Sequence, residues 1–195
     1  MNKIILDKES VINLDIKENS ICNIGKDYNI KELNINIVDN VELVINHYSE
    51  VLENDLKIII IQNNNSIFNY NHSFKCNKFY NLDINIEMRG NNSKNNINIH
   101  GISDNGKSYI KVDGSVYKNT IDNELDEKVR LLNMNEGYTY IYPNMFIDTK
   151  NVVANHAASI TSISKDYLFY LNSKGIKDEE AINMIIDGFL DNIAR

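Results

Sequence analysis

The chain has 195 residues, 43% of them hydrophobic, which is enough apolar material for one folded domain with a small appendage. Its 20 basic and 27 acidic residues give a formal net charge of −7 without a basic patch, which argues against nucleic acid as a partner. Asp7 and Glu9 follow a very short apolar run, and the longest apolar run, residues 58–61, is far too short to cross a bilayer. We therefore expect a soluble, cytoplasmic protein with no signal peptide and no contact with membranes.

Asparagine and isoleucine are unusually frequent, each making up about a sixth of the chain. One interpretation is an AT-rich genome, whose codons favour these residues. The other is a strand-rich structure with polar turns, because isoleucine suits packed pleated surfaces and asparagine tolerates left-handed turn geometry. Composition does not separate the two interpretations.

From about residue 21 to residue 147 apolar and polar residues alternate, as in residues 33–37, 82–86, 97–99 and 110–112. This period of two is typical of strands with one face inward and one face in water. Polar turn clusters separate the runs, and no helix-length segment lies between them. The pattern excludes a parallel sheet built from strand–helix–strand units and leaves a sandwich, a barrel or a β-helix.

The pattern changes to helical spacing after His156. Ser164 followed by an acidic first turn predicts a helix start, and Gly175 predicts its end. A second helix is predicted to start near Asp178, with an apolar stripe at three- and four-residue spacing that runs as far as Ile193. The C-terminal part is therefore predicted to be a helical hairpin.

The segment from Val152 to Leu190 also carries a set of motifs at fixed offsets. They are His-Ala-Ala-Ser at 156–159, Leu-Phe-Tyr-Leu at 168–171, Ser-Lys-Gly-Ile at 173–176, Glu-Ala at 180–181, Met-Ile at 184–185 and Gly-Phe at 188–189. This segment closely resembles the C-terminal signature of the SufB/SufD family of iron–sulfur cluster assembly scaffolds. The resemblance implies a mainly β fold, a right-handed parallel β-helix over residues 1–158, followed by a C-terminal helical domain over residues 159–195.

The resemblance further implies a non-enzymatic scaffold subunit of a SUF-type assembly complex. Its β-helix would pair with a SufB-like subunit or with a second copy of itself, and its C-terminal helices would dock a SufC-like ABC ATPase. Successive helical side chains diverge by about 100°, so the first helix cannot direct all its aromatic rings to one face. The residues expected to contact a partner are Tyr167, Phe169, Tyr170, Ile185 and Phe189; packing of the rings onto the end of the β-helix is the alternative.

His156 is the expected metal-binding residue, because imidazole is a good iron ligand and its neighbours are small. The resemblance places this histidine at the subunit interface and implies no stably bound cofactor, only a transient iron–sulfur cluster or iron. Cluster-building SufB-type subunits carry a cysteine where ungapped alignment puts Lys128, and a glutamate where this chain has Ala157. At both positions the chain resembles SufD-type subunits and differs from SufB-type subunits.

Other residues give weaker hypotheses. Cys22 and Cys76 are the only possible thiolate donors and are expected to be ordinary structural residues, like His47, His72 and His100. A rival hypothesis is a β-helix polysaccharide lyase or hydrolase, to which the acidic run Glu124, Asp126 and Glu127 would supply acid–base groups, although such runs are usually solvated. A third is a degenerate family member that only organises partners, with His156 chemically inert.

Overall fold

A computed structural model describes residues 1–190, which form eleven strands and two helices. The strands are β1 (Asn2–Ile4), β2 (Val11–Ile16), β3 (Ser20–Ile24), β4 (Glu32–Ile37), β5 (Glu42–Gln62), β6 (Ile67–Met88), β7 (Lys94–Asp104), β8 (Lys107–Val116), β9 (Asn123–Met134), β10 (Tyr138–Ile147) and β11 (Val152–Ser162), and the helices are α1 (Lys165–Ser173) and α2 (Asp178–Leu190).

Every strand pairing within residues 1–190 is parallel, and each turn of the chain visits two sheets. The first sheet contains β1, β3, the first half of β5, the first half of β6, β7, β9 and β11, in that order. The second contains β2, β4, the second halves of β5 and β6, β8 and β10. The long strand β5 crosses between the sheets at a register shift between Val51 and Glu53. The result is a β-solenoid of about five turns, which confirms the predicted β-helix.

The turns become longer along the chain. Asn2 pairs with Ser20, 18 residues later, whereas Leu125 pairs with Ala154, 29 residues later. The additional residues lie in the corners and in longer strands, from three residues in β1 to eleven in β11. The solenoid is therefore narrow at its N-terminal end and wide at the end formed by β10 and β11.

The core lies between the two sheets, where the inward side chains of the alternating pattern meet. These side chains are mostly isoleucine, leucine and valine, with fully buried aromatic rings such as Tyr70, Phe74 and Tyr80 in the middle turns. Burying a large apolar side chain contributes roughly 1.5–3 kcal/mol, so stacked turns can build one continuous core.

Asparagine has two structural roles, of which the strand-and-turn interpretation predicts the one in the turns. At one corner of successive turns, Asn40, Asn65, Asn92 and Asp122 all adopt positive φ angles of 52–63°. The backbone N–H of each donates to a carbonyl of the following turn, at 2.8–2.9 Å. On the outer face of the first sheet, amide side chains form a ladder across four turns, with each amide donating to the preceding one at 3.0–3.4 Å: Asn23, Asn46, Asn71 and Asn98.

Both helix ends predicted from the sequence are confirmed. The Ser164 hydroxyl accepts a hydrogen bond from the Asp166 N–H at 3.2 Å, and Gly175 ends the first helix with a φ of 88°. Helix α2 starts at Asp178 and packs its last turn on the outer face of the first sheet, where Leu190 joins Ile102 and Leu132. The predicted stripe residue Ile193 lies outside the described residues. Neither helix of the described chain has the length and apolarity needed to cross a membrane.

Candidate functional site at the open end of the solenoid

Strands β10 and β11 form the last turn, and nothing in the described chain covers it. β11 pairs only with β9, and β10 only with β8, so within residues 1–190 each has one unpaired edge. Some inward side chains of this turn are consequently accessible, and Ile160 keeps 48% of its surface exposed. Solenoids need a cap at each end. A terminal turn without a cap is therefore a natural surface for contact with a partner.

His156 lies in the middle of β11, on the interior side of this open end. Ala154 packs against the core, and alternation along the strand places His156 on the same side. Its side chain is exposed because no further turn lies above it within residues 1–190. Ala158 follows on the same side, so small side chains flank the imidazole, as the sequence predicts.

The neighbour of His156 in the preceding turn is Glu127, whose burial beside this histidine the sequence analysis does not predict. The two are Cα partners across β9 and β11. Glu127 is fully buried, and neither of its carboxyl oxygens has a hydrogen-bond partner. Burial, followed by the nearby carboxylates of Asp113 and Asp126, raises the pKa of Glu127 from 4.5 to about 8. At neutral pH this side chain is therefore mostly a neutral acid.

Gly114 on the second sheet makes room for this carboxyl group. A Cβ atom at residue 114 would stand only 2.5 Å from Oε1 of Glu127. The carboxyl group thus reaches across the interior towards β8. The expectation that the acidic run is a solvated face is wrong for Glu127, although the inward positions of Leu125 and Val129 in the same alternation are a signal that could have found it.

The other two acids of the run do fit a solvated face. Glu124 forms an ion pair with Lys94 at 2.8 Å, and Asp126 forms one with Lys128. Since Glu127 lies on the opposite side of the strand, the three carboxylates do not converge on a cleft. The geometry gives no support to the hypothesis of a polysaccharide lyase or hydrolase.

Lys128 and Ala157 are also Cα partners, on the outer side of the last two turns. The two positions that distinguish this chain from SufB-type subunits are therefore direct neighbours, beside the pair Glu127 and His156. The structure brings together the residues that the resemblance singles out, on both sides of one pair of strands.

Neither cysteine lies in the last turn, because Cys22 is on β3 and Cys76 is on β6. Cys22 and Cys76 are buried, and burial raises the pKa of Cys22 to about 11 and raises that of Cys76. Buried protonated thiols are poor metal ligands. Within residues 1–190 no group of three or more His, Cys, Asp or Glu side chains is placed to hold a metal ion.

Two of the remaining histidines belong to a buried network in the middle turns. His47 Nδ1 lies 2.9 Å from the Tyr70 hydroxyl, and His72 Nε2 lies 3.0 Å from the Tyr80 hydroxyl. Burial lowers the pKa of both histidines, that of His72 to about 3, so both rings stay neutral. These contacts agree with the structural role expected for them.

His100 anchors helix α2 to the first sheet. Its Nδ1 lies 2.9 Å from the Phe189 carbonyl oxygen, and its ring stacks on that of Phe189 with centroids 5.3 Å apart. The Ser73 hydroxyl donates to the Leu190 carbonyl at 3.1 Å. Both bonds satisfy carbonyl groups in the last turn of the helix, which otherwise lack partners.

The residues expected to contact a partner fall into two groups. Tyr167, Phe169 and Tyr170 on α1 are 68%, 76% and 60% exposed, and no residue of α1 is buried. Ile185 is half-buried on α2, and Phe189 is engaged with His100. The aromatic rings of α1 therefore lie in solvent instead of packing on the end of the solenoid.

Comparison with known proteins places the chain in a family. Residues 41–189 match the family model "SUF system FeS cluster assembly, SufBD core domain". A 54-residue segment is 37% identical to an iron–sulfur cluster assembly SufBD family protein of Mycobacterium tuberculosis (strain H37Rv), covering 28% of this chain and 6% of that protein. A 53-residue segment is 42% identical to a relative of the same description from Staphylococcus saprophyticus, covering 27% of this chain and 11% of the relative. Because the family model spans most of the chain, from the third turn of the solenoid into α2, the chain belongs to the SufB/SufD family of the SUF iron–sulfur cluster assembly system.

Proposed function

We propose that the chain is a non-enzymatic scaffold subunit of a SUF-type complex, in which iron or a nascent iron–sulfur cluster is the cargo and not a resident cofactor. It pairs through the open end of its solenoid with a SufB-like subunit or a second copy of itself, and α1 docks a SufC-like ABC ATPase. The single observation that carries the proposal is the uncovered last turn, with His156 on its interior side.

The chemistry of the last turn supports pairing. Neither β10 nor β11 contains a Lys, Arg, Asp or Glu residue, so both lack the charges with which proteins usually protect strand edges. Pro143 interrupts the hydrogen-bonding capacity of β10, whereas β11 has no proline. β11 is therefore the better strand for extension by a partner, and it is the strand that carries His156.

Pairing is tested by placing a charge on the open end. Ile160→Asp should weaken association with the partner at least tenfold, because a carboxylate would be buried without a counter-ion when the ends meet. The matched control is Val11→Asp, at a side chain on β2 that is 45% exposed. Sedimentation of the chain alone and with its co-purified partner measures the effect. Equal association of the two variants would contradict pairing through this end.

Docking of the ATPase is tested with α1. The double variant Phe169→Ala, Tyr170→Ala should lose the ATPase in a pull-down from native cells, because exposed aromatic rings on a short helix are typical anchors for a groove. Tyr117→Ala, an exposed ring at the corner after β8 and outside the last turn, is the control and should retain it. Mass spectrometry identifies the captured protein. Recovery of no ABC ATPase with the wild-type chain, or its full recovery with the double variant, would reject docking through α1.

A further inference from the structure

The buried carboxyl group of Glu127 has no partner that explains its presence. A buried polar group without a hydrogen bond costs free energy, and native proteins rarely keep one unless it has a task. This group lies one turn below the open end, next to the residue expected to meet the cargo. The ion pairs of the outer face do not include it, because Asp126 pairs with Lys128 on the other side of β9.

The register of the strands makes Glu127 and His156 direct neighbours in successive turns. Neighbouring strands lie about 4.8 Å apart, and side chains of the same row point the same way. Glu127 and His156 are paired residues of one row, both on the interior side. The carboxyl group fits into the interior because residue 114 has no Cβ atom beside Oε1.

The two side chains form a recognisable donor set. When the ion displaces the proton of Glu127, a carboxylate oxygen and an imidazole nitrogen together suit ferrous iron, whereas a cluster held for long periods normally needs thiolates. Two protein ligands leave most coordination positions open. Such a site holds iron weakly enough to hand it on, and the exposed imidazole of His156 would meet the ion first.

We propose that Glu127 and His156 together form a ferrous-iron site at the open end of the solenoid, with Glu127 as a direct ligand. The choice of iron as the ion rests on the proposed function, while the site itself rests on the buried carboxyl group and the strand register. In this proposal the carboxylate of Glu127 takes the place of the thiolate ligand that Lys128 cannot provide.

The experiment is an anaerobic equilibrium dialysis of the purified chain against Fe²⁺ alone. The wild-type chain should bind one ion, and Glu127→Gln and His156→Ala should each weaken binding at least tenfold. The control is Glu124→Gln, a change of the same kind on the same strand but on the outer face, and it should bind like the wild type. Visible absorption of bound Co²⁺ gives a second readout, which should shift when either ligand is replaced. Circular dichroism verifies that each variant is folded.

The outcomes separate this inference from the proposed function. Wild-type affinity in Glu127→Gln would overturn the role of Glu127, and no Fe²⁺ binding by the wild-type chain would overturn the whole site. Pairing and ATPase docking are measured with Ile160→Asp and the α1 variant, without metal. Failure of those two tests would reject the proposed scaffold function and leave the metal-binding result standing.

Discussion

Replacing Glu127 by glutamine is expected to stabilise the solenoid at pH 8 and to have a much smaller effect at pH 5. The pKa of Glu127 is raised from 4.5 to about 8 by burial, so the folded chain holds a proton that the unfolded chain releases. The free energy of unfolding therefore contains a contribution from this proton. That contribution is complete below pH 4.5 and is lost as the pH rises towards 8. Since one pKa unit corresponds to 1.36 kcal/mol, the loss amounts to about 4 kcal/mol. The amide of glutamine stays uncharged over this pH range, so the Glu127→Gln variant does not lose this stability.

Urea unfolding at pH 5 and pH 8 measures this effect, with Glu124→Gln as the control. The buried histidines contribute in the opposite direction, because their lowered pKa values make acid destabilising. That contribution is common to wild type and variant, so the difference between the two isolates Glu127. We expect Glu127→Gln to gain about 2–4 kcal/mol over the wild type on going from pH 5 to pH 8. Parallel pH profiles of the two proteins would show that the carboxyl group is not buried as described.

Gly90→Ala is expected to be strongly damaging although it adds a single methyl group. A Cβ atom at residue 90 would lie 2.2 Å from the Asn64 nitrogen and 2.3 Å from the Asn63 carbonyl carbon. These are backbone atoms of the corner in the preceding turn, and the corners are hydrogen-bonded to one another along the solenoid. Relief of the clash would break that stack, so we expect a loss of about 3 kcal/mol or more, or failure to fold.

Gly25→Ala is the matched control for this prediction. Nothing lies within 4 Å of a Cβ atom built at Gly25, and its φ angle is not in the left-handed region. The alanine should therefore be neutral or stabilise by about 0.4–1 kcal/mol through the unfolded chain. Thermal unfolding and soluble yield of the two variants check the pair. If Gly90→Ala melted like Gly25→Ala, the close approach of the two corners would be refuted.

The period of two in the sequence predicted the strands and their inward faces, but not how the strands pair. In this fold a strand pairs with one 18 to about 30 residues away, and the same alternation would serve a sandwich or a barrel. The solenoid is predicted by the resemblance of residues 152–190 to the SufB/SufD family and not by the alternation. The asparagine content became interpretable only with the structure, because ladders such as that of Asn46 and Asn71 depend on the register between turns.

The candidate site was half predicted. The motif around His156 predicts this residue, whereas Glu127 looks in the sequence like part of a charged run with Glu124 and Asp126. Only the alternation between the two faces of β9 separates Glu127 from the other two acids. The position of α2 was not predictable either, since it depends on His100 and Ser73, two strand residues that meet the last turn of the helix.

The stacking of turns has a consequence for the order in which stability is acquired. Each turn rests on its neighbours along the axis, and the last one has a neighbour on a single side. In such a nearest-neighbour fold the terminal unit frays before the others. Joining two subunits end to end would turn each terminal unit into an internal one, so that assembly, and not folding alone, completes the rigidity of the residues around His156.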